Sequence, residues 1–529
     1  MPEILPTPPV TNIRKWIFVS IVCGIIFIIF ALIVFMSGSG KTAAGKGFNP
    51  VSKEVSIWTF GMDSKTLTAL NAGFNTYLGR SDMKLDVRNF ASYDDYIDIL
   101  PRVINAGQSP DIIMVPNHGG YRFFDQYINS LGGNMVDFAD FETRFHKLFF
   151  EELIFSEKEK VDGKDLIVQG LRGVPFGFEP MGIYYNRELV SQVPTQWDTF
   201  SEILKKTETP SSMSPVNLGQ DALSPVSPTT KSPEEAEVPA FTNMGYGRET
   251  PASADIVALL IAQKKGAQNN YTSVNSIDSR AVIEYYLGFR RVPNNLNRFQ
   301  SQFAETLTTT DLFVRGKIAT LIGYPSTYQD IKIALQRAKQ DGELSPTFLK
   351  NLRIATIPQE EIEPKKQTNL AKYTYFALTK DGKNRDKKDG KNDPAIKFVQ
   401  FLLTKEAQNI FLKNITYSLP AQTIDLTENK DLKINPADTD FNMTINDWYV
   451  PTQTFVLYDM GIPHLFRAIL KQAMGEPGTT ATTVSGEISA YLTCKIGQLT
   501  DPATYSNACL CRTTLPINRN NYWPLCGQE

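Results

Sequence analysis

The sequence predicts an α/β protein built on a doubly wound sheet, carried behind one membrane-spanning stretch. Three observations predict it. Strands and amphipathic helices alternate from Val55 to Val115. A 21-residue uncharged run from Trp16 to Met36 precedes them. A Ser/Pro/Thr/Glu-rich segment, Thr207 to Pro239, interrupts an otherwise globular composition. The chain has 529 residues, enough for two or more packed units, and 42% hydrophobic content, as in ordinary globular proteins. Its formal net charge of −2 gives no electrostatic footprint for nucleic acid.

The elements follow in order. Residues 1–15 form a short head ending in Arg14 and Lys15. Residues 16–36 match the length needed to cross a bilayer core. The run is long for a cleaved signal peptide, and Cys23 sits well inside it without the small-residue context of a lipid-attachment site. The expectation is an uncleaved single-pass anchor in the cell membrane, N-terminus cytoplasmic beside Arg14 and Lys15, with the bulk of the chain extracellular or periplasmic. Residues 37–50 read as a Gly/Ser/Ala/Lys linker. Within it, Ser37-Gly38-Ser39-Gly40-Lys41-Thr42 mimics a phosphate loop, but Phe35 stands where the first glycine is needed.

Val55 to Phe60 alternates as a strand, and Leu67, Leu70, Phe74 and Leu78 follow at helical spacing. Leu85 to Phe90 is a second strand, and Tyr93 to Ala106 a second helix ending at Gly107. Asp111 to Val115 is a third strand. Strands alternating with helices predict a parallel sheet, and such sheets bind ligands beyond their strand ends. Gly173 to Pro180 reads as a turn-rich loop with exposed aromatics, and Met181 to Tyr185 as a buried strand. Residues 207–239 are expected to be a disordered insertion. Gly316 ends a helix before a strand at Ile318. Leu352–Ile357 and Tyr373–Leu378 are strand candidates, Pro394 to Lys413 is one long amphipathic helix, and Phe455 to Ala473 is another helix.

Chemistry-bearing patterns are few. There is no Gly-x-Ser-x-Gly or His-Glu-x-x-His motif, and the three histidines, His118, His146 and His464, are scattered. Adjacent acids such as Glu151-Glu152 do not face each other on a helix. No enzyme, cofactor or metal site is expected. Four cysteines, Cys494, Cys509, Cys511 and Cys526, crowd the C-terminus. Outside the cell they suit two disulfides. A four-thiolate zinc site is the competing reading, against which the single-residue gap between Cys509 and Cys511 argues.

The order of motifs is distinctive: a strand with Trp58; Ser109-Pro110-Asp111 after the second helix; Gly173-Val174-Pro175 followed by Tyr184-Tyr185-Asn186-Arg187-Glu188-Leu189; Trp197-Asp198-Thr199-Phe200; Phe313-Val314-Arg315-Gly316-Lys317; and Leu419-Pro420 after the long helix. From about Val55 to Ala421 it resembles the extracellular solute-binding proteins of ABC importers, the group that includes maltose-binding and other sugar-binding proteins. The resemblance implies a two-lobe periplasmic-binding-protein-like fold over residues 51–425, with a hinge and an interlobe ligand cleft. Residues 426–529 would then be a C-terminal extension with the cysteine-rich tail. The implied partners are a sugar or oligosaccharide and ABC-transporter permease subunits, with no nucleic acid. An anchored sensor without transport, or a secreted hydrolase, is the alternative. Aromatic rings cover the apolar faces of sugars, and hydroxyls need paired donors and acceptors. On that basis the expected ligand contacts are Trp58, Phe60, Asn117, His118, Phe176, Phe178, Glu179, Tyr246, Tyr324 and Tyr375. Trp58 and Phe178 are expected to face each other across the cleft. For each position, core packing or an ordinary surface site is the competing reading.

Overall fold

The structure is a computed structural model. It describes residues 52–117, 124, 126–161, 164–200, 240–242, 244, 252–265, 276–288, 307–360, 367–384, 392–436, 438–450, 454–456, 480–486 and 488–489. The expected anchor (16–36), linker (37–50), insertion (207–239) and all five cysteines lie outside these residues. Among the described residues no helix is long and apolar enough to cross a membrane.

Fifteen strands are described, in three sheets. In chain order they are β1 (Glu54–Phe60), β2 (Lys84–Phe90), β3 (Ile112–Pro116), β4 (Ile128–Asn129), β5 (Leu131–Gly132), β6 (Ile154–Val161), β7 (Lys164–Leu171), β8 (Val174–Pro180), β9 (Gly182–Asn186), β10 (Ala240–Thr242), β11 (Ile318–Gly323), β12 (Leu352–Thr356), β13 (Thr368–Thr379), β14 (Leu419–Pro420) and β15 (Thr454–Val456). The first sheet runs β14-β8-β13-β3-β1-β2, with β4 and β15 also paired to β13. Its β1, β2 and β3 are parallel, as their helical connections require, whereas β13 is antiparallel to both β3 and β8. The second sheet runs β10-β11-β9-β12, and a small third sheet runs β5-β7-β6.

Local signals explain the early elements. The helix Ser64–Leu78 begins at Asp63, whose carboxylate accepts the Thr66 N–H at 2.8 Å. It ends at Gly79, which takes the left-handed conformation (φ 62°). Thr66, Leu70, Phe74 and Leu78 recur every four residues and are buried, Phe74 against Phe398 and Phe401. The helix Tyr93–Asn105 starts at Ser92 in the same way. Both were legible from spacing alone.

Two lobes share the chain at β8–β9 and at β13. Strand β8 belongs to the first sheet, and two residues later β9 belongs to the second. Strand β13 pairs with β3 and β8 from Ala371 onward, while Leu370 sits in the core of the other lobe. The first core fills the first sheet and reaches one face of the second through Tyr184, Leu321 and Tyr328. The second core covers the opposite face, with Ile183, Trp197, the helix Ser253–Lys265 and the helix Ile277–Gly288. Alternation in β9 divides them: Ile183 faces one core and Tyr184 the other.

Four expectations are corrected. Gly173–Pro180 is not a loop, because Val174–Pro180 is a strand held between β13 and β14. Its Pro175, which looks like a breaker, sits opposite Tyr375 where the β13 register shifts, a place that tolerates a missing N–H. The long helix from Pro394 is two helices, Pro394–Leu402 and Lys405–Asn414. Thr404 separates them by accepting the Ala407 N–H at 3.3 Å as a new cap. Replacing Thr404 with Ala is expected to cost about 1 kcal/mol in urea unfolding. A variant as stable as the parent would mean that packing alone sets the break. Phe455 lies in β15 rather than a helix, and 457–473 fall outside the described residues. Finally, the expected extension from 426 begins inside the fold: among the described residues, Ile434, Met443, Ile445 and Trp448 are buried in the first core.

Candidate functional site

The strand ends near the lobe crossing gather a polar cluster. Lys372 and Glu179 are direct partners in the β13–β8 pairing, so their side chains share one face. Glu179 Oε2 accepts the Ser326 N–H at 2.9 Å, from the loop after β11. The Lys372 ammonium lies 3.7 Å from the centroid of the Tyr324 ring. It also lies 3.7 Å from Asp255 Oδ2, and Tyr324 donates its hydroxyl to that same oxygen at 2.8 Å. Asp255 stands in the first turn of the helix Ser253–Lys265, where a carboxylate is favoured.

Burial pushes the Glu179 carboxyl above its ordinary range. The Lys372 charge and the Ser326 N–H pull in the opposite direction. The cluster therefore joins two carboxylates, one cation and one aromatic ring beside the crossing strands β8 and β13. The Lys372 side chain retains 32% of its exposure, so the cluster meets solvent through Lys372, while Tyr324 and Asp255 are buried. Among the described residues no group of three or more His, Cys, Asp or Glu could hold a metal ion.

Glu179 and Tyr324 are the two expected contacts that this cluster contains. Sequence reasoning missed Lys372 and Asp255. One signal for Lys372 was available: it is the sole charged residue of the twelve-residue β13.

The other expected contacts sit elsewhere. Phe178 is 1% exposed, with its ring 5.4 Å from His146 and 5.9 Å from Phe149. Trp58 packs 5.3 Å from Phe90, under the Arg88 guanidinium at 4.6 Å. Trp58 and Phe178 belong to β1 and β8 of one sheet with β3 and β13 between them, so they do not face each other across a gap between lobes. Phe176 packs against Phe376 and Phe411. Phe60 lies between Tyr93 and Tyr96, and Tyr375 is buried beside Tyr373. Asn117 is buried and bonded to the backbone of β13. His118 and Tyr246 lie outside the described residues.

A cavity of about 630 Å³ lies apart from this cluster, with Tyr77, Asp140, Arg144, Lys397 and Gln400 among its lining residues. Its charges are largely satisfied internally: Arg144 pairs with Asp140, and Lys397 Nζ donates to Gln400 at 3.2 Å.

Comparison with known proteins bears on the fold and the family. Three similar solved structures share the fold. A cyclo/maltodextrin-binding protein complexed with maltotetraose is 15% identical, covers 85% of this chain and 98% of its own, and has a TM-score of 0.55. The sugar-binding protein MalE from Xanthomonas citri is 13% identical over 85% of this chain and 99% of its own, also with a TM-score of 0.55. An ABC substrate-binding protein from Listeria monocytogenes, in complex with cycloalternan, is 14% identical over 84% of this chain and 99% of its own, with a TM-score of 0.52. A sequence comparison with curated proteins returns no match. The family model described as bacterial extracellular solute-binding protein matches residues 73–437, most of the chain and both lobes. With its two-lobe fold and that match, the chain belongs to the bacterial extracellular solute-binding proteins, a family of binding proteins rather than enzymes.

Proposed function

We propose that this protein captures a carbohydrate outside the cytoplasm and delivers it to the permease subunits of an ABC importer. On this reading residues 16–36 hold it to the membrane, and the tail cysteines form disulfides in an oxidising compartment. The observation that carries the ligand class is the crossing-strand cluster of Glu179, Lys372, Asp255 and Tyr324. Sugar hydroxyls both donate and accept, and this set offers carboxylate acceptors and an ammonium donor within one site. Two of the similar structures hold oligosaccharides, maltotetraose and cycloalternan, which supports the same class. Lobes joined at two crossings can close on a ligand as a hinge, and a ligand that prefers the closed form shifts the population towards it.

The test is thermal unfolding of the full-length protein in detergent with maltotetraose, cycloalternan and a panel of other oligosaccharides. At 100 times its Kd a true ligand adds about 2.7 kcal/mol, a shift of several degrees that grows with concentration. No shift from any sugar in the panel would overturn the carbohydrate reading. Glu179→Gln is expected to weaken the best sugar about tenfold, roughly 1.4 kcal/mol. Unchanged affinity would remove Glu179 from the site. For the anchor, protease added to intact cells with an accessible surface is expected to remove the lobes. Their complete protection would place them on the other side of the membrane.

A further inference from the structure

Strand β3 ends at Pro116, yet its pairing with β13 does not stop there. In this antiparallel pair residue 116 lies opposite 374, so the register places 117 opposite 373. The Asn117 backbone N–H makes its half of the next rung, donating to the Tyr373 carbonyl at 2.9 Å. The other half comes from the side chain. The Tyr373 N–H donates to Asn117 Oδ1 at 2.8 Å. Asn117 Nδ2 donates to the Ala371 carbonyl, also at 2.8 Å. A primary amide carries a C=O and an N–H in one plane, as a peptide unit does, so one side chain bonds the β13 backbone at two points. The residue is 2% exposed, which makes each of these bonds costly to lose.

The two residues held in this way, Ala371 and Tyr373, flank Lys372. Side chains alternate along a strand, so fixing the backbone on both sides fixes the direction in which Lys372 leaves it. Pairing with β8 holds residues 371–373 in register along one edge of β13, and the Asn117 amide holds the opposite edge at Ala371 and Tyr373. The ammonium reaches the Tyr324 ring and Asp255 from that anchored point.

We propose that Asn117 is a positioning residue: its amide clamps the crossing strand on either side of Lys372 and so sets that ammonium over Tyr324, between Glu179 and Asp255. The proposal rests on the reading of this cluster as the ligand site, in which Lys372 is the donor and Asn117 touches no ligand.

The experiment follows Lys372 by NMR in the full-length protein labelled with [ε-13C]lysine. Lys372→Arg identifies the resonance by its disappearance. In the parent, the Tyr324 ring current is expected to move the Lys372 ε-CH2 signal upfield of the exposed lysines. Asn117→Ala is expected to lose that displacement. Leu70→Ala, which removes packing from the same lobe without touching β13, is expected to keep it even if it lowers the melting temperature as much. Should Asn117→Ala fail to accumulate folded, Asn117→Ser gives the same reading. An upfield signal retained in the Asn117 variants, or lost equally in Leu70→Ala, overturns the positioning role. This arm needs no ligand, so it judges Asn117 even where the carbohydrate reading fails. With maltotetraose as the binding probe, Asn117→Ala is expected to raise Kd about tenfold. Parental affinity in a folded Asn117→Ala protein counts against the proposal.

Discussion

A Gly173→Ala protein is expected to lose roughly 3 kcal/mol of stability or more, a large part of what a domain has. Gly173 leads into β8 alongside the centre of the first sheet. A Cβ built there meets the Phe376 carbonyl oxygen closer than any real contact, and the Tyr375 ring at 2.5 Å. The first obstacle is backbone, and it belongs to β13, which is pinned between β3 and β8. Relief therefore requires two paired strands to separate rather than one side chain to rotate. Urea unfolding would show the loss as a lower midpoint with an unchanged slope. Gly288→Ala is the control, because a Cβ at this helix position meets nothing within 4 Å. It is expected to be neutral or to stabilise by up to about 1 kcal/mol. A Gly173→Ala protein within about 0.5 kcal/mol of the parent would show that the sheet yields there.

The second large effect is acid sensitivity at His146. This residue is 8% exposed, with its ring near Phe178 and, edge-on, 6.0 Å from Tyr449. Its Nδ1 accepts the Leu148 N–H at 3.2 Å, which caps the helix Lys147–Leu153 and needs an unprotonated nitrogen. Burial, with a smaller push from the Lys147 charge, lowers its pKa from 6.5 to about 4. The folded state thus holds the neutral ring, while the unfolded chain takes up a proton as pH falls below 6.5. Its stabilising contribution is complete above 6.5, declines as pH falls from there to about 4, and changes no further below that. The loss amounts to about 3 kcal/mol. His146→Gln keeps an acceptor for the Leu148 N–H but cannot titrate. Its stability difference between pH 7.5 and 4.5 is expected to be smaller than the parent's. Parallel stability curves for the two proteins would assign the acid loss to carboxylates instead.

The early strands and helices were legible because each obeys one local rule. Val55 to Phe60 alternates, and Leu70, Phe74 and Leu78 keep helical spacing. β8 was not, because Pro175, Gly177 and Pro180 carry turn chemistry that two neighbouring strands override. Those neighbours come from residues near 375 and 419, far away in sequence. The same limit explains the misplaced rings. Position at a strand end does not reveal which face a side chain takes, and a shift of one residue reverses it. Phe178 thus faces Phe149, while its neighbour Glu179 faces Lys372. Asp255 carried no sequence signal beyond a helix start. Its role depends on where the fold brings Tyr324.

The position of β13 also sets a timetable for the newborn chain. β1, β2 and β3 are complete once residue 116 has been made, but the strand that must lie beside β3 ends at residue 379. At a synthesis rate of about 5–20 residues per second, roughly 260 further residues take about 13–50 s. For that interval the β3 edge has no partner on its outer side, and the apolar run Ile112-Ile113-Met114-Val115 stands open to other chains. The first lobe therefore cannot finish ahead of the second. A nascent chain of this topology leaves its first sheet incomplete until residue 379 has been made.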